Sequence, residues 1–348
     1  MKERVLVAMS GGVDSSAAAW VLREQGYECV GAIMRLHEKE GSTDVEDARS
    51  VAERLGIPFH VFDFREEFGA LVKQYFADTY AAGDTPNPCV QCNRHLKFGK
   101  LLEAARDLGC SKIATGHYAR IAHLDNGRFA VKKGAEAARD QSYFLSLLTQ
   151  DQLGATLFPL SDLPKAEVRR IAEEQGFVSA RKRDSQDICF VPDGDYVGFL
   201  EQYNEREYVP GPVYHLDGRH LGEHRGAIRY TLGQRKGLGV SAGEPVYVCG
   251  KSMAENTVYV GPESALFADT LIAEDFVWGA IPGIDGPLRC KARVRYRHAE
   301  QSALAEPLGD GRVKVTFDAP QRAITTGQVL VLYDGDTVLG GGTIREVG

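Results

Sequence analysis

Ser10-Gly11-Gly12-Val13-Asp14-Ser15-Ser16 follows directly on an apolar, strand-like run over residues 4–9 and opens a helical pattern over 15–25 that Gly26 closes. Two adjacent glycines let the backbone turn tightly and bring its N–H groups close to an anion. Ser10, Ser15 and Ser16 add hydroxyl donors, and the helix N-terminus adds partial positive charge. A strand-to-helix turn of this composition suits a phosphate. Asp14 would repel that phosphate unless a cation stood between them, which makes Mg²⁺ its natural companion. The loop is not of the Walker type. The one near-match to that pattern, Gly250-Lys251-Ser252, has Pro245 where its first glycine should be.

Outward from this turn the same alternation continues. Residues 28–34 read as a second strand. Thr43-Asp44-Val45-Glu46 has the capping-box pattern and precedes Val45, Ala48, Ala52 and Leu55 at helical spacing, with Gly56 and Pro58 as the stop. A third strand follows at 59–62, helical spacing at Phe68, Leu71, Val72, Tyr75 and Phe76, another helix over 96–108 and a short strand at 112–115. Repeated strand-then-helix order predicts a doubly wound parallel sheet. Asp125-Asn126-Gly127, between Ile121 and Phe129-Ala130-Val131, predicts a hairpin that interrupts it. Beyond residue 200 glycine becomes frequent, and short β-type runs appear at Val246-Tyr247-Val248, residues 257–260 and residues 329–332. The expected division is 1–200 for the α/β unit, 201–267 for a small β-rich unit and 268–348 for a second one.

The 348 residues are 43% apolar and 26% charged, the balance of a globular chain of two or three domains, and no apolar stretch is long enough to cross a bilayer. The expected location is the cytoplasm. A net charge of −7 argues against nonspecific coating of nucleic acid but leaves room for a local basic stripe. Seven cysteines, an odd number scattered over the chain, do not make a disulfide framework. Cys29, Cys110, Cys249 and Cys290 read as small buried apolar residues. Cys89 and Cys92 lie in a proline-rich loop before a helix, and a thiolate near a helix N-terminus has a lowered pKa, the position expected for Cys92.

Six segments in order resemble the signatures of one family. They are residues 10–16, Asn87-Pro88-x-x-Cys92-Asn93, Lys97-Phe98, Ala114-Thr115-Gly116-His117-Tyr118, Arg139-Asp140-Gln141-Ser142-Tyr143 and Ser185-Gln186-Asp187-Ile188-Cys189-Phe190. The first is similar to the loop of the PP-loop ATP pyrophosphatases, and the set is similar to the bacterial tRNA-specific 2-thiouridylases, the MnmA family. That resemblance implies a PP-loop catalytic domain, a central β-rich domain and a C-terminal β-barrel that grips tRNA. It implies ATP held by Ala8, Met9, Ser10, Gly11, Gly12, Val13, Asp14 and Ser15, with Met34 and Gly116 lining the nucleotide site. Cys92 would be the nucleophile and Cys189 the carrier of a persulfide from a sulfur donor, such as a cysteine desulfurase or a relay protein. Asn87, Pro88 and Cys89 would approach the base, while His117, Arg139, Asp140, Gln141, Arg295, Tyr296 and Gln328 would touch the tRNA. Substrates would be the tRNAs for Lys, Glu and Gln, modified at the wobble uridine.

The chain departs from the family pattern at Cys89, where many members have Asp. Cys89, Cys92 and Cys189 offer three thiolates, enough to hold a [4Fe–4S] cluster by three irons in place of a persulfide route. His95 also completes Cys89-x-x-Cys92-x-x-His95, which with Cys189 could bind structural zinc. Two rival functions stand beside the thiouridylase: a PP-loop ligase that adenylates a small metabolite, which needs no paired thiols, and a noncatalytic Fe–S protein that binds RNA or nucleotide.

On the RNA side, Arg289, Lys291, Arg293, Arg295 and Arg297 alternate with Cys290, Ala292, Val294, Tyr296 and His298. On a strand, period-two spacing puts all five cations on one face, suited to a polyanion unless neighbouring acids pair with them. Tyr296 could stack on a base or sugar while Arg295 meets phosphate. Arg181-Lys182-Arg183 and residues 229–236 add further positive charge.

Overall fold

The protein is seen in a computed structural model that describes residues 2–38, 43–182, 188–191 and 194–348. Ser185, Gln186 and Asp187 of the last signature, and Arg183 of the basic segment, lie outside the described residues. Seven strands come first: β1 (Arg4–Ala8), β2 (Glu28–Arg35), β3 (Phe59–Asp63), β4 (Lys112–Ala114), β5 (Ala119–His123), β6 (Phe129–Lys133) and β7 (Thr156–Leu157). Five of them form a sheet in the order β3-β2-β1-β4-β7, parallel throughout. Val5, Leu6 and Val7 of β1 are fully buried, as a central strand covered on both faces requires. The strand order reverses beside β1, between β1 and β4, so the crevice outside their C-terminal ends is where a ligand of such a sheet sits.

Helix α1 (Val13–Glu24) lies on one face and buries Ala17, Ala18, Ala19 and Leu22; three alanines in a row let its backbone approach the sheet closely. Helix α2 (Asp44–Leu55) buries Ala48, Val51, Ala52 and Leu55 and ends on Gly56 in the left-handed conformation. The expected capping box does not form at its start. Thr43 is the N-cap, but its hydroxyl donates to the Asp47 carboxylate at 2.8 Å, and that acid is held by Lys182 at 2.6 Å.

A hairpin does interrupt the α/β pattern, but β5 and β6 leave the parallel sheet altogether. They extend the C-terminal sheet, where Thr337 pairs with Lys132. The middle of the chain forms a four-stranded sheet from β8 (Gly211–His215), β9 (His220–His224), β10 (Tyr247–Ser252) and β11 (Thr257–Gly261), in the order β10-β11-β8-β9. The C-terminal strands are β12 (Phe267–Trp278), β13 (Leu288–Arg293), β14 (Gln301–Gly309), β15 (Arg312–Arg322), β16 (Val329–Asp334) and β17 (Thr337–Val347). Pairing of β12 with β17 closes these six into a barrel. Among the described residues no helix is long and apolar enough to cross a membrane.

Candidate functional site

The glycine turn sits at the C-terminal end of β1, as its position in the sequence predicts. Gly12 caps α1 in extended conformation, and no side chain caps the helix start. Gly11 has φ +68°, and a Cβ there would lie 2.6 Å from the Asp44 carbonyl oxygen, so both conformation and packing require glycine. The serines brace the turn. Ser15 Oγ accepts from the Ser10 amide at 3.0 Å, and Ser16 Oγ donates to the Gly12 carbonyl at 2.8 Å and meets Ser179 Oγ at 3.0 Å. Gly116, just past β4, is pressed against the same turn. A Cβ on it would fall 2.9 Å from the Asp14 carbonyl carbon and from Asp14 Cβ. Ala8, Met9 and Met34 line the neighbouring strand ends, with Met9 buried and Met34 half-buried.

Asp14 already has a cation. Lys165 Nζ lies 2.6 and 2.8 Å from its two oxygens, and the Tyr118 hydroxyl donates to it at 2.7 Å. A buried lysine thus answers this carboxylate within the protein itself, beside the Mg²⁺ expected with the nucleotide. Lys165 was invisible to motif reading. Its only signal was Pro164 ahead of Val168, Ile171 and Ala172, the start of the helix Lys165–Glu174.

Cys89 and Cys92 ride on a continuous helix over 88–107 with π-type turns over Cys92–Lys100. Asn87 is its N-cap, with Oδ1 accepting from the Val90 amide at 3.4 Å, and Pro88 takes the first position. The helix starts earlier than the periodicity placed it. Cys89, not Cys92, occupies the first turn, so the lowered pKa expected of Cys92 does not arise. Burial pushes its thiol up to about 11; the Lys97 ammonium opposes this, while the Cys189 and Cys89 thiols add to it. Cys89 and Cys189 reach the surface, yet packing around each raises its thiol too, with Lys97 again the opposing charge.

The segment bearing Cys189 packs against the helix bearing Cys92. Cys92, Leu96, Phe190 and Val191 share one apolar cluster, with Ile188 against it. Phe190 anchors the Cys189 segment by edge-on contacts with Phe68, Phe76 and Phe199 at ring distances of 5.4, 5.2 and 5.1 Å. His117 lies at the nucleotide side and packs on a different cluster, the one holding Phe98 and Phe158. It follows Gly116, its ring lies 5.8 Å from that of Phe98, and Nδ1 is 2.6 Å from Thr115 Oγ1. Burial, and then Lys97, hold its imidazole well below the usual range and so neutral.

Among the described residues no three of His, Cys, Asp and Glu stand as a metal-holding group. As placed, Cys89, Cys92, His95 and Cys189 fit neither an iron–sulfur cluster nor structural zinc. All seven cysteines are free thiols.

The residues expected to meet RNA divide into engaged and accessible ones. Asp140 is buried and accepts from the amides of Gly134 and Ser142 and from Ser142 Oγ, while Gln141 Oε1 accepts from the Tyr118 amide at 2.9 Å. Gln328 donates to the carbonyls of Thr85 and Pro86. Tyr296 packs its ring 4.4 Å from that of Phe144. Arg139 is more open and pairs with Glu136 at 3.7 Å.

The five-cation strand face does not exist as one face. β13 ends at Arg293, leaving Arg295 and Arg297 in the turn beyond it. Neighbouring acids take two of the charges: Arg289 pairs with Asp318 at 2.7 Å and Arg293 with Glu300 at 2.7 Å. Arg295 is half-buried and bonds Thr325 Oγ1; burial pulls its guanidinium below the usual range. Arg297 is exposed. Lys182 pairs with Asp44 and Asp47, and Arg229 with Glu201 at 3.0 Å.

Comparison with known proteins agrees with this architecture. Residues 3–193 match the model of the tRNA methyl transferase HUP domain, 197–262 the tRNA methyl transferase PRC-barrel domain and 268–344 the aminomethyltransferase β-barrel domain. Over 99% of its length the chain is 48% identical to the tRNA-specific 2-thiouridylase MnmA of Symbiobacterium thermophilum, covering 92% of that protein. It is 45% identical to that of Lachnoclostridium phytofermentans, over 98% of this chain and 99% of the relative. It is 47% identical to that of Geotalea uraniireducens, over 99% and 96%.

Proposed function

The chain belongs to the tRNA-specific 2-thiouridylase (MnmA) family, and on that premise we propose how its residues carry out ATP-dependent exchange of oxygen for sulfur at C2 of a tRNA uridine. The carbonyl oxygen attacks the α-phosphorus of ATP; pyrophosphate leaves and C2 carries an adenylate. The glycine turn and the start of α1 bind the phosphates, and Mg²⁺ bound with the nucleotide would neutralise part of its charge. Cys189 carries a persulfide. Cys92 as thiolate attacks the Cys189 sulfur, forming the Cys92–Cys189 disulfide and expelling hydrosulfide; hydrosulfide attacks C2 and AMP departs with the oxygen. A thiol reductant then returns two electrons to the disulfide.

The observation that carries this reading is that the segment bearing Cys189 packs on the helix bearing Cys92, whose Lys97 ammonium acts on both thiols and on His117, the residue after Gly116 at the nucleotide turn. The wobble uridine of tRNAs for Lys, Glu and Gln, a cysteine desulfurase or relay protein as donor, a cytoplasmic location, and units at 1–200, 201–267 and 268–348 complete the reading. Cys92→Ser and Cys189→Ser are each expected to abolish thiouridine, measured by nucleoside digestion, while the first-turnover burst of tRNA-dependent pyrophosphate remains. Thiouridine formation by either variant would overturn the assignment of the thiols. Pyrophosphate release without tRNA, driven by a small metabolite, would instead favour a PP-loop ligase.

A further inference from the structure

All three units of the chain meet on residues 83–86, the loop that leads into the helix bearing Cys89 and Cys92. From the middle unit, Met253 Cγ and Lys251 Cε stand 3.1 and 3.9 Å from where a Cβ on Gly83 would be. From the barrel comes the segment 325–328, between β15 and β16. The Thr85 amide donates to the Thr326 carbonyl at 3.0 Å, and Gln328 Nε2 donates to the carbonyls of Thr85 and Pro86 at 3.0 and 3.1 Å. The Thr326 hydroxyl donates to the Asp84 carboxylate. Tyr75 relays between the two sides: its hydroxyl accepts from the Asn87 amide at 3.4 Å and donates to the Gly327 carbonyl at 3.5 Å. Gly327 has φ +82°, and a Cβ there would sit 2.8 Å from the Thr85 carbonyl oxygen and 3.0 Å from both Asp84 Cβ and Thr79 Cγ2.

The loop thus takes much of its polar pairing from the barrel, and the helix starts only two residues after Pro86. We propose that Gln328, with the Thr326–Gly327 turn beside it, is a positioning residue for sulfur transfer: it fixes the start of the thiol helix and so the approach of Cys92 to Cys189. The inference rests on the reading that these two thiols react with each other. It gives Gln328 a role that is complete before any RNA binds. It also joins the barrel to the reacting thiols through a run of hydrogen bonds, so a shift of the barrel is felt at Cys92.

The test uses the full chain with Gln328→Leu, which keeps size and removes both donors, and Gly327→Ala, which pushes the segments apart without touching Gln328. Each variant is expected to lower kcat for thiolation by about tenfold, the scale on which small misplacements of reacting groups act. KM for tRNA in Gly327→Ala and, in both variants, the rate of the tRNA-dependent single-turnover pyrophosphate burst should stay within about twofold. A second readout needs no RNA: formation of the Cys92–Cys189 disulfide under diamide, followed by peptide mapping, should slow in parallel. A raised KM with unchanged kcat would make Gln328 a tRNA contact and overturn the proposal, as would an unchanged disulfide rate. Equal losses of thiolation and of the single-turnover pyrophosphate burst would also overturn it, by showing general disruption. If the wild-type chain forms no disulfide and no thiouridine, the underlying thiol reading fails instead.

Discussion

Replacing Lys165 isolates what the nucleotide turn needs. Its ammonium meets both oxygens of Asp14, with the lysine side chain 7% exposed and the aspartate 31%. Lys165→Met keeps most of the packing and leaves an uncompensated carboxylate in the first turn of α1. Breaking a buried pair costs about 3–5 kcal/mol; the partial exposure of Asp14 and its bond from Tyr118 reduce this, so about 2–3 kcal/mol of stability should be lost. The same charge, if taken to lie about 7 Å from a bound phosphate at an effective dielectric of about 20, costs about 2 kcal/mol, roughly a 30-fold loss of ATP affinity. Urea unfolding and calorimetric ATP titration read the two effects. Adding Asp14→Asn removes the orphan charge and should restore most of the stability lost in the single variant. A single variant within about 0.5 kcal/mol of wild type, or a double variant as unstable as the single, would refute the reasoning.

Two further predictions concern pH and RNA. With Cys92 held up at about 11, roughly one part in ten thousand is thiolate at pH 7, so single-turnover sulfur transfer from persulfide-loaded protein should rise nearly tenfold per pH unit from about 7 to 9 while pyrophosphate release stays flat. The same raised pKa stabilises the fold below 9.0, the ordinary value for the thiol, and that contribution is lost as pH climbs through about 11, so urea midpoints should fall over this window. Arg297→Ala should weaken tRNA binding and lower the salt slope by about one, whereas Arg289→Ala, whose charge Asp318 already occupies, should do less; filter binding over a salt series decides, and equal effects would refute the distinction.

Local grammar carried the parallel sheet. The strand expected over 4–9 and formed over 4–8, the glycine turn, and Gly56 ending α2 are each specified by neighbours within a few residues. Failures came where distant partners decide. Thr43 was read as half of a capping box, but Lys182, far along the chain, holds Asp47 beside it. The hairpin at 119–133 was legible as a hairpin, whereas its sheet was chosen by β17, about two hundred residues later. The alternation from Arg289 to Arg297 was real as spacing, yet nothing local said the strand stops at Arg293 or that Asp318 and Glu300 face its cations. Cys92 was misplaced electrostatically because Pro88 starts the helix a turn before the apolar pattern becomes visible.

Exposure distinguishes the roles of the thiols in a way that spacing could not. A sulfur donor must touch the thiol it loads, and a thiol on the surface can meet a protein where one 7% exposed cannot. Under the proposed mechanism this suits Cys189 to the carrier's part and Cys92 to acting on sulfur already delivered beside it. Burial serves that second part as well. A thiol kept protonated until Lys97 and the arriving groups favour its anion is slow to react with stray oxidants, since the thiolate is the reactive form. Cys89 is exposed like Cys189, but it sits at the helix start beneath the clamp from the barrel and lacks an anchor comparable to Phe190 in its aromatic cluster. In the proposed mechanism, carrier and attacking thiol are thus held by different means, one by an aromatic anchor on a surface segment and the other by a helix whose start is tied to the barrel. Sulfur transfer requires both means to agree on one geometry.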